Sequence, residues 1–382
     1  MTSGLWKPDS SRSRVAVYVL TVQGFELATR IIPALAQTGI AAPDETDLFV
    51  PLSLRDSVNT ASCSSTIHWF SRLKTTVQSV FHSYKCHVFI TAAGAAIRCF
   101  ASSLHGKDQD PAALVLDQCG RFVISLLSGH LGGANAMARQ LADAIGATPV
   151  ITTATDVEDL PALDVMAHER GLAISNLFCI KSVSASLLAG KMVNLYDPYN
   201  HLGLRGSKFQ HLFHEVESIQ ALHEYSQNNS VVVSEQTNKS NHGGKLQALW
   251  LHPRSLYVGL GCRRGVGKDT IIAAIKDIFT GHGLAMDSLS LLASIEAKRD
   301  ERGLYEAAQS LATTIRYFSI ETLARYPVQV PSLKARELFG IDGVCEPAAL
   351  AAAESSGRRA RLLVPKAVCH GVTVAVALQV FP

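Results

Sequence analysis

The strongest constraint on this chain is the alternation, through its N-terminal third, of short apolar runs with amphipathic stretches. "VAVYVL" (15–20) is strand-like, and residues 24–38 then repeat apolar side chains at helical spacing. "DLFV" (47–50) predicts a short strand, and residues 64–83 predict a helix with Ile67, Phe70, Leu73, Val77, Val80 and Phe81 on one face. "HVFIT" (87–91), "AALVLD" (112–117) and "FVISLL" (122–127) follow as further strands. Strands this apolar must be covered on both faces, and the intervening helices supply that cover. The expected fold is α/β, with a doubly wound, mainly parallel sheet in the N-terminal domain.

Farther along, Pro161 and Gly171 punctuate the chain, and residues 175–198 carry a helix and a strand. Residues 226–245 turn polar and Gly/Asn/Ser-rich around one short strand, and their tail reads as a linker. Strand, loop and helix then begin again, and "VTVAVALQV" (372–380) predicts a closing buried strand. The expected division is an N-terminal α/β domain over 14–150 and a small α/β middle domain over 151–236. A linker over 237–253 and a C-terminal α/β domain over 254–382 complete it.

With 382 residues, 47% hydrophobic and 18% charged, the chain can bury two or three cores. A net charge of +3 gives no global footprint for nucleic acid. The eight cysteines are scattered with no C-x-x-C pair, which suits free thiols in a reducing compartment. No stretch has the apolar length of a membrane span, and the first fourteen residues lack the apolar core of a signal peptide. The expected setting is cytoplasmic, with neither membrane nor nucleic acid as partner.

"GLGCRRGVGKDT" (259–270) joins an apolar run to a helix-like stretch and invites a nucleotide reading. A phosphate-cradling loop needs G-x-x-x-x-G-K-[ST], but Cys262 stands at the first glycine and Asp269 at the hydroxyl position. The glycines at 259, 261 and 265 are also spaced one residue too widely for G-x-G-x-x-G. What survives is a helix start near Gly261 that favours anions, with Arg263 and Arg264 able to grip carboxylates through paired donors. The alternative is a plain turn with solvated arginines.

The densest signal is "SLLSGHLGGANAMARQLADAIGATPVITTATD" (125–156). Gly129, Gly132 and Gly133 let backbone approach a ligand, and the helix opening at Ala134-Asn135 offers free N–H groups. Ser128 and His130 lie two apart, so on an extended chain they face one side as a hydrogen-bonded pair, or as a base and its orienting group. Alternatively, Ser128 caps a turn and His130 is a satisfied polar group. "TTATD" brings hydroxyls and Asp156 to a strand end, for binding or for capping. "AAGAAIR" (92–98) repeats the strand, glycine turn and arginine. Residues 294–308 gather Glu296, Lys298, Asp300 and Glu301 before a helix, either as a site or as a solvated face. "VCEPAAL" and "LVPKAV" set Glu346 and Lys366 beside strand or helix ends. Several anion-suited loops together suggest one large ligand with many negative charges. No metal-ligand motif, nucleophile elbow or cofactor fingerprint is found in the sequence.

In combination, "LLSGHLGGAN…GATPVITTATD", "IKSVSASLLAGK", "GLGCRRG" and "IEAKRDERGL…VCEPAAL…VPKAVCHGVTVAVA" resemble the cobalt-precorrin-5A hydrolases of anaerobic cobalamin biosynthesis, the CbiG family. The resemblance runs in the family's order from about residue 15 to residue 380. It implies N-terminal, middle and C-terminal domains, the last of which also occurs as a separate protein. The implied reaction opens a δ-lactone of the tetrapyrrole with water, releases acetaldehyde and gives cobalt-precorrin-5B. Cobalt arrives within the substrate, so no cofactor and no protein-bound metal are expected. The implied partners are cobalt-precorrin-5A and neighbouring precorrin methyltransferases, with a homodimer left open.

The resemblance does not assign catalytic residues; chemistry does. A base for water falls to His130 or Glu301, and the oxyanion to Ser128 with the N–H groups of Gly132 and Gly133. Gly129, Asn135, Asp156, Gly261, Arg263, Arg264, Lys298, Glu346 and Lys366 are the expected substrate contacts, in a cleft between domains. The competing reading is a non-catalytic tetrapyrrole carrier or pathway scaffold.

The failure of both nucleotide patterns has a direct consequence. ATP or GTP with Mg²⁺ is expected to leave the Tm of the purified chain unchanged; a clear upward shift would reinstate the nucleotide reading.

Overall fold

The computed structural model describes residues 14–106, 109–130, 132–224, 229–237 and 248–381. The chain divides into two compact units, one ending at Met166 and the next beginning at Ala167.

The first unit is built on a seven-stranded sheet. Its strands are β1 (Val15–Val19), β2 (Thr46–Pro51), β3 (Thr66–Phe70), β4 (Cys86–Ile90), β5 (Ala112–Leu116), β6 (Phe122–Leu127) and β7 (Thr148–Val150), in the order β3-β2-β1-β4-β5-β6-β7. Neighbours are parallel except β5 and β6, which run antiparallel. The helices are α1 (Val22–Gln37), α2 (Leu73–Val80), α3 (Ala93–Phe100) and α4 (Ala134–Ile145). Val15, Val17 and Val19 join a core with α1 and α4, whereas Ala16 and Tyr18 join another with α2 and α3. Alternate residues of β1 thus point to opposite faces, and both faces are covered. This is the doubly wound arrangement expected from the apolar runs.

The single helix predicted over 64–83 is instead a strand followed by a helix. Residues 66–70 pair with β2 as the edge strand β3, and α2 begins at Leu73. The β-branched and aromatic run "TIHWF" suits a pleated edge, and the sheet offers it a partner. Ile67 and Phe70 fell on the helical stripe only because their spacing happens to match it.

The reversal between β5 and β6 places Leu127, the last residue of β6, opposite Ala113 at the start of β5. The chain leaving β6 therefore emerges at the end of the sheet where β1, β4 and β5 begin. Because β7 runs parallel to β6, β6, α4 and β7 form a βαβ unit whose strands end on that same side. After β7 come α5 (Ala154–Val157) and α6 (Leu163–Glu169).

The second unit holds two five-stranded sheets. The first contains β8 (Ala173–Ile174), β9 (Val193–Tyr196), β10 (Phe213–Glu215), β11 (Ser230–Val233) and β12 (Ala248–His252), with α7 (Phe178–Leu188) in the chain between β8 and β9. Its order is β10-β9-β11-β12-β8, parallel apart from β8 at one edge. Of the linker expected at 237–253, residues 238–247 lie outside the described residues. Residues 248–252 are not linker but β12, buried along its whole length between β11 and β8. The polar tract ahead of "ALWLH" hid a strand whose apolar residues belong to the sheet.

The last sheet contains β13 (Leu256–Gly261), β14 (Leu289–Ile295), β15 (Thr314–Phe318), β16 (Ala360–Cys369) and β17 (Val372–Gln379), in the order β15-β14-β13-β17-β16. β13, β14 and β15 are parallel, and β16 and β17 close the sheet as an antiparallel hairpin. α8 (Lys268–Gly281) and α9 (Arg302–Ser310) pack on one face. α10 (Ile320–Leu323), α11 (Leu333–Phe339) and α12 (Cys345–Glu354) follow, and α12 packs on the other face. The sequence is thus α/β throughout, with three mostly parallel sheets.

α12 is buried from Cys345 to Ala353, and its alanines let its backbone approach β13 very closely. A Cβ at Gly259 would stand 1.8 Å from the Cys345 carbonyl oxygen and 2.7 Å from the Ala349 nitrogen. Gly259→Ala is therefore expected to cost about 3 kcal/mol or more, because helix or strand must move. Gly281→Ala, where an added Cβ meets nothing within 4 Å, is expected to change stability by less than about 1 kcal/mol. Urea unfolding midpoints of the two variants check this, and a neutral Gly259→Ala would contradict the close packing.

Candidate functional site

The chain leaving β6 turns sharply at Ser128, a non-glycine residue with φ of 56°. The turn folds back onto the start of α4: the Ser128 carbonyl accepts from Ala134 N (3.1 Å) and the Gly129 carbonyl from Asn135 N (2.9 Å). The His130 carbonyl accepts from Gly133 N (2.8 Å). Ser128 Oγ donates to the Asp110 carbonyl (2.9 Å). The expected pairing of Ser128 with His130 does not form, because left-handed backbone at Ser128 replaces the extended geometry it needed. The Ser128 hydroxyl is engaged by the Asp110 carbonyl and the Gly133 N–H by the His130 carbonyl, so neither is the free oxyanion donor expected of it.

The glycines have local reasons as well. A Cβ at Gly129 would lie 2.7 Å from Asn135 Oδ1, and one at Gly132 would lie 2.4 Å from Ser128 Cβ. Gly133 has φ of 81°, a left-handed conformation that glycine adopts freely. These residues let the turn pack on itself and on Asn135.

Asn135, 3% exposed, organises what lies beneath. Its Oδ1 accepts from Ser125 Oγ (2.6 Å), and its Nδ2 donates to Thr153 Oγ1 (3.0 Å) and Asp156 Oδ2 (2.9 Å). Asp156 Oδ2 also lies 2.9 Å from His130 Nε2, and Asp156 Oδ1 accepts from Arg139 Nη2 at 2.6 Å. Partial burial works to raise the Asp156 carboxyl, but the bonds from Arg139 and His130 outweigh it and hold the group below its ordinary range. An ionised carboxylate only accepts, so His130 Nε2 carries the proton in that bond. Thr155 Oγ1 stands 3.2 Å from the same nitrogen. In the neutral ring this leaves Nδ1 with its lone pair, 3.7 Å from Asp164 Oδ1. A histidine oriented through one nitrogen by a carboxylate, with the other nitrogen available, is the arrangement of a general base.

The double-arginine turn is built differently. Gly265, with φ of 76°, donates its N–H to Glu301 Oε2 (2.9 Å), and Lys298 Nζ donates to Glu301 Oε1 (3.2 Å). The Gly265 bond, joined by Lys298 and by the field of Arg264, holds Glu301 below its ordinary range. A carboxylate stabilised in this way is a poor base and a good clamp. Arg263 and Arg264 are exposed, and among the described residues neither guanidinium makes a hydrogen bond or ion pair. At Gly261 a Cβ would stand 2.5 Å from Thr373 Oγ1, which itself donates to the Gly261 carbonyl (3.0 Å).

Glu346 and Lys366, expected as substrate contacts, serve as fasteners. Glu346 is 1% exposed, and its oxygens accept from Gln329 N (2.6 Å), Val330 N (3.3 Å) and Lys366 N (2.8 Å). Lys366 lies within β16 rather than at an end, and its Nζ donates to the Pro331 carbonyl (2.7 Å). Together they tie residues 329–331 to the hairpin and leave the Glu346 carboxylate no face for a ligand.

The structure thus gathers His130, Asn135 and Asp156 in one cluster, and Lys298, Glu301, Arg263 and Arg264 in another. Sequence reading passed over Arg139 and Asp164. Arg139 sits one helical turn beyond Asn135, a spacing that could have exposed it. Asp164 follows β7 and α5 with no local pattern to mark it.

Comparison with known proteins matches three successive stretches of the chain. The family described as Cobalamin synthesis G N-terminal matches residues 75–156, the Cobalamin biosynthesis central region matches 161–253, and Cobalamin synthesis G C-terminus matches 256–377. A protein named cobalt-precorrin-5A hydrolase from Priestia megaterium is 33% identical over 308 residues, covering 78% of this chain and 80% of that protein. One of the same name from Salmonella typhimurium is 30% identical over 351 residues, covering 90% and 92%. Protein CobE from Sinorhizobium is 34% identical over 124 residues, covering 32% of this chain and 79% of its own length. Among the described residues, no helix is long and apolar enough to cross a membrane. The matches extend through all three sheets, and the chain belongs to the CbiG family of cobalamin biosynthesis.

Proposed function

We infer that this chain is a cobalt-precorrin-5A hydrolase, opening the δ-lactone of the tetrapyrrole and releasing acetaldehyde to leave cobalt-precorrin-5B. The observation that carries the reading is His130, held at Nε2 by Asp156 (2.9 Å), with its Nδ1 3.7 Å from Asp164 Oδ1. The names of the relatives from Priestia megaterium and Salmonella typhimurium support the substrate.

Lactone opening needs a base for water and a donor for the oxyanion. Nδ1 of His130 takes the proton from water as its oxygen attacks the lactone carbonyl. Asp156 keeps the ring in the required tautomer and stabilises the imidazolium that forms. Arg139 gives one N–H to Asp156, and its half-exposed guanidinium retains further donors for the oxyanion. Opening the ring leaves a hydroxyl on the two-carbon unit. Removal of that proton lets the carbon–carbon bond break, with acetaldehyde departing and the electron pair passing into the macrocycle. Arg263 and Arg264, held out by the turn that Glu301 clamps, suit the acetate and propionate groups of such a substrate.

Purified full-length chain with cobalt-precorrin-5A is expected to release one acetaldehyde per substrate; tight binding without release would instead identify a carrier. His130→Ala should lower kcat by about 10²–10⁴-fold, and Glu301→Gln should act mainly on KM by loosening the arginine turn. If kcat is unchanged in His130→Ala, another group is the base.

Asp156 also makes a pH prediction. Its folded pKa is depressed, so its contribution to stability is present above the ordinary Asp value of about 3.9 and is lost as pH falls through the folded value. Wild type should therefore exceed Asp156→Asn in urea midpoint at pH 7, and the gap should narrow as the pH is taken below the ordinary Asp value. An unchanged gap across that range would show that the carboxylate is not held ionised.

A further inference from the structure

Among the described residues, two groups bring three metal-ligating side chains together: His82, His105 and Asp110, and Asp277, Cys369 and His370. In the first, the two imidazoles are stacked 4.3 Å apart and 7° from parallel, so their in-plane lone pairs run side by side instead of converging. His82 Nε2 also lies 2.8 Å from the Ser103 carbonyl, and the Asp110 carboxylate accepts from His105 N and Gly106 N. His82 and the Asp110 carboxylate thus have partners without an ion.

The second group is arranged otherwise. Cys369 pairs with Val372 as the last rung of the β16–β17 hairpin, leaving His370 and Gly371 as its turn. Both turn residues have positive φ, 52° and 77°, the backbone of the tight primed turns that match hairpin twist. A turn of this kind fixes where the two side chains start. Asp277 reaches them from α8: its Oδ2 stands 2.8 Å from His370 Nε2 and 3.7 Å from Cys369 Sγ. All three donor atoms lie within 4.8 Å of one another.

These distances can be compared with what an ion requires. Tetrahedral zinc, with bonds of about 2.0 Å to nitrogen and oxygen and about 2.3 Å to sulfur, spaces N and O by about 3.3 Å and S and O by about 3.5 Å. The sulfur–oxygen spacing already fits, and the nitrogen–oxygen spacing needs to open by about half an ångström. Asp277, with its side chain 60% exposed, has the freedom to make that shift.

We propose that Asp277, Cys369 and His370 form a zinc site that staples the β16–β17 hairpin to α8. Thiolate and imidazole select a borderline-soft dication over magnesium or calcium. On binding, the Cys369 thiol releases its proton to solvent and ligates as thiolate. His370 binds as the neutral ring through Nε2, and Asp277 binds as carboxylate. The two anionic ligands balance the two positive charges of the ion, and water occupies the fourth position. Because α8 begins directly after the double-arginine turn, the staple fixes the far end of the helix that carries that turn.

The test uses the full chain, reduced and stripped of metal with a chelator, then titrated with Zn²⁺ against a chromophoric competitor. Co²⁺ serves as the spectroscopic probe. One tight equivalent is expected, with a thiolate-to-cobalt charge-transfer band that Cys369→Ser abolishes. Cys369→Ser and His370→Asn should each weaken zinc binding by about a hundredfold or more, since even outer-shell partners are worth 10–100-fold. Asn keeps the left-handed turn at 370, so this variant separates ligand loss from misfolding, and the urea midpoint of the metal-free protein should hold. Absence of tight zinc in wild type, retained affinity in both variants, or a cobalt spectrum without the thiolate band would each overturn the proposal.

Discussion

Asp156 receives donors from the turn after β6 (His130) and from two positions of α4 (Asn135 and Arg139). A carboxylate so placed would be costly if any of those donors were missing, because a half-satisfied polar cluster inside a protein is worse than an apolar one. The buried Asn135 amide extends the same network to Ser125 in β6 and Thr153 after β7. Strand, turn, helix and following segment are thereby held in one register. The glycine at 129 belongs to this network too, since any larger residue would push against the Asn135 amide. The long stretch from Ser125 to Asp156 is best understood as one polar lock built around a βαβ unit.

Two other carboxylates follow a related logic. Glu301 holds the Gly265 N–H, and Glu346 holds the N–H groups of Gln329, Val330 and Lys366. Gly265, Gln329 and Val330 lie in irregular segments and Lys366 at a register irregularity of β16, and each time a glutamate from another element supplies the acceptor for the backbone donor. The distinction matters for electrostatics. Glu346 is fully buried and closed off, whereas Glu301 leaves two arginines facing solvent.

Much of the architecture was legible in the sequence because both-face burial leaves unbroken apolar runs. β5, β6, α4 and β17 all lie where the pattern put them. β3 was misread because an edge strand buries little, so its pattern is weak and a coincidental helical stripe prevailed. β12 was missed because polar residues precede it, although its own five residues are buried. At the candidate site, His130 and Asp156 were visible as unusual residues at strand ends. Their partnership was not, since it depends on two parallel strands finishing side by side. Glu346 and Lys366 show the opposite error. Charged residues near loops suggested ligand contacts, yet backbone groups from distant segments use them, and no local pattern records that.

The antiparallel placement of β6 beside β5 has a consequence for how such a chain can change. The loops after β1, β4 and β5 frame a crevice lined by Leu20, Thr21, Ile90, Thr91 and Gln118 at one rim of the sheet. The turn at Ser128 and the segment at Thr153–Asp156 occupy the other rim. One sheet therefore presents two independent edges, each fed by its own strand termini. Lineages could remodel either edge by loop exchange without disturbing the other.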